Sequence, residues 1–168
     1  KIIVQKKKIM FFSTPFDNES VDFLAKLKVK LFKISSFDTS NFQLVDHIIS
    51  KKIPTIISTG LSSLKEIEKI KKKFKKNKVN SYLLHCISSY PTNEESSILS
   101  NIQFLKKKFN CEVGLSDHTM GFGVSVASIA FGTSIIEKHF TLDRLDGGVD
   151  SSFSLEPIEF KNLVIEAN

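Results

Sequence analysis

No apolar run in this chain of 168 residues is long enough to cross a membrane. No strand-like run leads into a GxGxxG turn, which counts against a dinucleotide-binding doubly wound sheet. The opening stretch KIIVQKKKIM has charge but no apolar centre and no small-residue cleavage site, so no secretory leader is expected in it. It also lacks an initiator Met, and the chain is expected to be a piece of a longer protein. Cysteine is scarce, with only Cys86 and Cys111. Both sit in apolar strand-like runs, the pattern of buried reduced thiols in a cytoplasmic protein. Aromatic residues do not interleave with the lysine clusters at 6–8, 71–78 and 106–108 as a base-stacking surface requires. The net charge of +6 therefore does not imply a nucleic-acid partner. The second and third clusters close helical patterns, where lysine complements the macrodipole and stays solvated. Neither a nucleic acid nor a membrane is an expected partner.

What is present is an alternation. A hydrophobic content of 41% and this length suffice for one domain with a core. Ile9–Phe12 is a first apolar run, and Asp17 or Asn18 can cap a helix with Val21, Leu24 and Leu27 on one face. Strand-like runs follow at 30–34, 54–57, 81–84, 111–115 and 134–137. Helical stripes separate them: Val45, Ile48 and Ile49; then Leu64, Ile67, Ile70 and Phe74 behind a Ser63/Glu66 capping box; then Ile98, Ile102, Leu105 and Phe109. A small-residue helix is expected over 122–131, and a last helix with Pro157 in its first turn and Phe160, Leu163 and Val164 facing inward. Strand and helix alternate about six times with short connections, which predicts a parallel α/β sheet.

The strand ends carry the chemistry. They run STPFD, KISSFD, STG, CISSYPT, LSDHT and EKHF. Polar groups gathered where strands stop are the mark of the active face of a (β/α)8 barrel, and six units would leave such a barrel about two units short. The unit over 111–140 is central. Its two strands run parallel, so His118 and His139 reach the same rim. Their placement at successive strand ends suits a divalent metal or acid–base work, although 21 residues apart they form no local metal motif. Lys33, inside a strand, either snorkels to the rim or supplies the charge of an anion site. In such a site Thr14, Ser36, Ser58 and Ser116 are the hydroxyl donors around a phosphate or carboxylate. Asp38, Asp117, Glu137 and Asp150 are the strand-end carboxylates. Asp38 is a candidate for binding sugar hydroxyls or moving a proton. Asp117 is expected to cap the following helix or hold a histidine, and Glu137 to cap or pair. His47 and His85 are assigned no functional role.

The motifs FFSTPFD, FKISSFD, PTIISTG, LLHCISSYPT, VGLSDHTMGFGV, SIIEKHFTLDR and GGVDSSFSLEP together resemble the sialic acid synthase (nonulosonate synthase) family, in order and over essentially the whole chain. The resemblance implies an incomplete (β/α)8 TIM barrel, with 1–168 a single partial catalytic domain. It lacks the first two strands and a small antifreeze-like domain. The implied reaction is metal-dependent condensation of phosphoenolpyruvate with the open-chain aldehyde of an N-acylated amino sugar, giving a nine-carbon keto acid and phosphate. By position, Lys33, Thr14, Ser36, Ser58 and Ser116 correspond to the phosphoenolpyruvate contacts, Tyr90 and Asp150 to sugar contacts, and His118 and His139 to ligands of Mn²⁺ or Mg²⁺. Asp38 stands where a glutamate is usual and Ser88 where an asparagine is usual, which bears on the sugar. KISSFD and DSSFSLEP look more like the pseudaminic acid branch than the neuraminate branch. Neuraminate or legionaminate synthesis is the alternative, and an inactive anion-binding relative is the alternative of another class. The resemblance further implies a homodimeric parent, with the isolated chain inactive.

Overall fold

The computed structural model describes Lys7 and residues 9–168, so Lys6 and Lys8 of the first lysine cluster lie outside the described residues. The elements in chain order are α1 (Asn18–Lys26), β1 (Phe32–Ile34), α2 (Phe42–Ser50), β2 (Thr55–Ser58), α3 (Leu64–Lys76), β3 (Ser81–Cys86), α4 (Ser100–Phe109), β4 (Val113–Asp117), α5 (Gly123–Ile129), β5 (Ile136–Lys138) and α6 (Pro157–Glu166). The strand order is β1-β2-β3-β4-β5. β1 with β2, β3 with β4 and β4 with β5 pair in parallel, and a helix separates consecutive strands, so the chain is a run of successive βα units, the repeat from which a (β/α)8 barrel is built. The chain divides into two compact units, 1–82 and 83–168.

In the first unit, Phe32, Lys33 and Ile34 of β1 lie opposite Thr55, Ile56 and Ile57 of β2. All four residues of β2 are buried, as expected of a parallel strand covered on both faces. Asp17 caps α1, accepting from the Ser20 N–H. Asn41 caps α2, and Ser63 with Glu66 closes a reciprocal capping box on α3. Val21, Val45, Ile48, Ile70 and Phe74 make the centre of this unit's core.

In the second unit, His85 and Cys86 of β3 lie opposite Leu115 and Ser116 of β4. Ser116 and Asp117 in turn lie opposite Glu137 and Lys138 of β5. Leu83, Leu84, Ile102, Val113 and Leu155 are fully buried. Gly114 is required where β4 passes β5: a Cβ there would fall against the Ile135 carbonyl and 2.6 Å from Leu84 Cδ2.

Several expectations are corrected. Ile9–Phe12 forms no strand and is exposed; only Ser13 bridges to Phe32. A single bridge cannot sustain a ladder, so five strands are seen among the described residues rather than six. Pro54 lies before β2 because it has no N–H, although its carbonyl accepts from Phe32 N at 2.9 Å. β3, β4 and β5 all extend further towards their C-terminal ends than composition suggests, so His85, Ser116, Asp117 and Lys138 are strand residues. Ile98 precedes α4 with φ 37° and is exposed. Phe160 and Val164 are also exposed; only Leu163 of α6 is buried, and Phe160 packs edge-on against Phe140. Leu27 is the half-buried C-cap of α1, and Leu64 opens α3 before its stripe meets the core. Cys86 is buried as expected, whereas Cys111 is only half-buried; both are free thiols.

Candidate active site at the strand ends

In the first unit the ends of β1 and β2 carry the candidate anion-binding groups. Lys33 is half-buried in β1, and its backbone N–H donates to the Ser13 carbonyl at 3.2 Å. That bond anchors the segment bearing Thr14. Ser36 is buried, and its carbonyl accepts from the Thr39 hydroxyl. Ser35 Oγ donates to Asp38 Oδ2 at 2.5 Å, which holds the carboxylate in place. Ser58 ends β2 with its hydroxyl buried and without a hydrogen-bond partner. A buried unpaired hydroxyl costs free energy, and a ligand oxygen would relieve it.

In the second unit the ends of β3, β4 and β5 gather four rings. His118 and His139 have ring centroids 5.4 Å apart. Tyr90 lies 4.2 Å from His118 and 6.0 Å from His139. Phe153, buried, closes the group 5.1 Å from His139. The loop bearing Ser88 and Tyr90 is tied in by Thr92, whose N–H donates to the His118 carbonyl at 2.9 Å. His118 Nδ1 lies 2.9 Å from the Ile87 carbonyl. A carbonyl only accepts, so Nδ1 carries the proton and Nε2 keeps its lone pair. Ser116 Oγ is 3.4 Å from that Nε2. Burial holds the His118 imidazole below its ordinary pKa, the Ile87 bond opposing, so the neutral ring is favoured. Tyr90 is pushed above its ordinary value, chiefly by burial and then by the charges of Cys86, Asp150 and Glu137, so it remains a phenol that can donate. His139 Nδ1 is 3.5 Å from Asp150 Oδ2.

A neutral imidazole with a free Nε2 is the form that ligates a divalent cation. Among the described residues no group of three or more His, Cys, Asp and Glu side chains is arranged to hold a metal ion. His118 and His139 are two nitrogen donors of the type that suits a divalent cation.

Asp117 neither caps the backbone of α5, whose N-cap is Phe122, nor bonds a histidine. Its Oδ1 accepts from the Thr119 N–H and hydroxyl at 2.8 and 2.7 Å, and its Oδ2 accepts from Ser125 Oγ at 2.5 Å and lies 2.9 Å from Lys138 Nζ. Lys138 carries no assignment from sequence reasoning, nor does Phe153. The one available signal is that Asp117 and Lys138 occupy equivalent places in LSDHT and EKHF. The two unassigned histidines have partners of their own: His47 Nε2 is 2.9 Å from Asp22, and His85 Nε2 is 2.7 Å from the Ser97 carbonyl.

The model of the NeuB family matches residues 1–168. The chain belongs to the NeuB family. It is 44% identical over 161 residues to the pseudaminic acid synthase of Campylobacter jejuni, covering 95% of this chain and 47% of that protein. It is also 44% identical over 168 residues to the N,N'-diacetyllegionaminic acid synthase of the same species, covering 97% and 50%. Among solved structures, the N-acetylneuraminic acid synthetase of Leptospira borgpetersenii, in complex with citrate, superposes with a TM-score of 0.94 at 43% identity, covering 97% of this chain and 57% of that one. This NeuB chain thus spans about half the length of the curated relatives it matches. No helix among the described residues is long and apolar enough to cross a membrane.

Proposed function

We propose that the protein carrying this chain condenses phosphoenolpyruvate with the open-chain aldehyde of an N-acylated amino sugar, releasing phosphate and a nine-carbon keto acid. The observation that carries the reading is the pair of imidazoles at the ends of β4 and β5, with His118 held as the Nδ1–H tautomer by the Ile87 carbonyl. The names of the pseudaminic acid, legionaminic acid and N-acetylneuraminic acid synthases among its relatives support the same reaction class. A divalent cation such as Mn²⁺ or Mg²⁺ on His118 and His139 would supply Lewis-acid polarisation of the aldehyde oxygen.

The protein's own groups do the rest by position and charge. Lys33 balances the anionic charge of phosphoenolpyruvate, and Thr14, Ser36 and Ser58 donate to its oxygens. Ser116 adds a hydroxyl next to His118. The methylene carbon of phosphoenolpyruvate attacks the aldehyde carbon, water adds at the former enol carbon, and the C–O bond to phosphate breaks. Tyr90, Asp150 and Ser88 contact the sugar, and Asp38 binds its hydroxyls or moves a proton. The sugar is the pseudaminate precursor, the reading that the forms KISSFD and DSSFSLEP favour, and Asp38 for glutamate and Ser88 for asparagine mark the departure from the neuraminate pattern. The parent acts as a homodimer in the cytoplasm.

The test is phosphate release from phosphoenolpyruvate by the full-length protein with Mn²⁺. The 2,4-diacetamido-2,4,6-trideoxy-altrose sugar and N-acetylmannosamine are offered separately. Release with the first sugar alone is expected. Release with the second alone would replace pseudaminate by neuraminate, and release with neither would remove the proposed reaction for these two sugars.

A further inference from the structure

Lys138 is the most deeply buried cation of the second unit. Its side chain and that of Asp117 are each 1% exposed, and Nζ lies 2.9 Å from Asp117 Oδ2. The ammonium also donates to the Thr119 carbonyl at 2.6 Å. Asp117 is saturated in its turn, by Thr119, Ser125 and Lys138. Side chains alternate across a strand, so Asp117 and Lys138 point to the α5 side, where Ser125 lies, while Ser116, His118, Glu137 and His139 take the other face. The pair therefore cannot touch a substrate that lies against the histidines.

Its place in the register is specific. Asp117 and Lys138 are directly opposite across β4 and β5. His118 follows the one and His139 follows the other. Lys138 grips residues on both sides of His118, Asp117 before it and Thr119 after it. A slip of one residue in β5 would leave the buried carboxylate facing Glu137 or His139 and would turn His139 to the opposite face. Stability alone does not account for the pair, because apolar replacements of a buried ion pair are often neutral or stabilising.

We infer that the Asp117–Lys138 pair is a positioning device that locks the β4–β5 register and thereby sets the distance and orientation of His118 and His139. This rests on the reading of those histidines as a metal-holding pair, and the experiment separates the two.

Lys138→Met alone strands a buried carboxylate and can unfold the protein, so the informative variant is the doubly neutral Asp117→Asn/Lys138→Met. Asparagine still accepts from Thr119, and methionine fills the lysine's volume. Two readouts are taken on the full-length protein. One is the position of the His118 and His139 Cε1–Hε1 NMR cross-peaks without metal, assigned with His118→Ala and His139→Ala variants. The other is Mn²⁺ affinity, measured alone, beside a His118→Ala control. The double variant is expected to melt near the parent's temperature, to shift the His118 and His139 cross-peaks, and to bind Mn²⁺ at least about tenfold more weakly. Unmoved cross-peaks would overturn the inference whatever the metal data show. A double variant that no longer folds would also overturn it, by making the pair a source of stability. Unchanged Mn²⁺ affinity in His118→Ala would remove the metal reading, while the cross-peaks would still decide positioning.

Discussion

Tyr90 lies across the His118 imidazole, with the ring centroids 4.2 Å apart and the planes tilted by 41°. The contact joins a residue proposed to meet the sugar to one proposed to hold the metal. Tyr90→Phe keeps the ring and removes the hydroxyl. Loss of one neutral hydrogen bond costs about 1 kcal/mol, so KM for the amino sugar is expected to rise roughly fivefold while KM for phosphoenolpyruvate and the melting temperature stay put. An unchanged sugar KM in steady-state kinetics would mean that the phenol makes no contact with substrate.

Ser58 separates stability from binding. Its hydroxyl is buried and has no hydrogen-bond partner. Removing such a group should be neutral or stabilising, by up to about 1 kcal/mol, since no bond is lost and a desolvation cost disappears. Ser58→Ala is therefore expected to hold or raise the denaturation midpoint while weakening phosphoenolpyruvate binding severalfold. Denaturant titration and calorimetric titration with phosphoenolpyruvate check the two halves. A clear loss of stability would show that the hydroxyl has a structural partner.

Gly114 has no room for a methyl group, because the Ile135 carbonyl and Leu84 Cδ2 occupy the space. Backbone must move before an alanine fits. Gly114→Ala is expected to destabilise by about 1–3 kcal/mol and to weaken the pairing of β4 with β5. Hydrogen exchange at the Leu115 amide, which donates to the Ile135 carbonyl at 2.8 Å, reads the pairing directly. Unchanged protection there would count against the argument.

His85 predicts a pH dependence. Burial holds its pKa below the ordinary imidazole value, with the Ser97 bond opposing. A group depressed in the folded state favours folding above its unfolded pKa and loses that contribution as pH falls towards the folded value. Stability should therefore fall as pH drops below about 6.5. His85→Gln retains a donor for the Ser97 carbonyl but does not titrate, so its melting temperature should fall less over the same interval. Identical slopes in wild type and variant would assign the acid sensitivity to other groups.

Much of the fold was legible in the sequence because the alternation of short apolar runs with helical stripes has few solutions. The capping box of Ser63 and Glu66, the Asp17 cap and Pro157 at the start of α6 are local devices, decided within a few residues of chain. Strand limits were less legible. β3, β4 and β5 end where their ladders end, and a ladder depends on a neighbour tens of residues away. Exposure on α6 was hidden for the same kind of reason, since periodicity gives a helix an apolar face but not a surface to cover all of it.

The class of fold, the residues available at each strand end and, through motif order, the family all follow from the order of residues along the chain. Parallel strands joined by crossovers necessarily bring their C-terminal ends to one rim, so the order of elements alone places His118 and His139 together. Tertiary structure alone decided which proton His118 keeps, because the Ile87 carbonyl comes from another strand end. It also decided that Asp117 serves Lys138 rather than a histidine. That pairing follows from register across two strands separated by a helix, and register is a property of the assembled sheet, where a shift of one residue inverts every face.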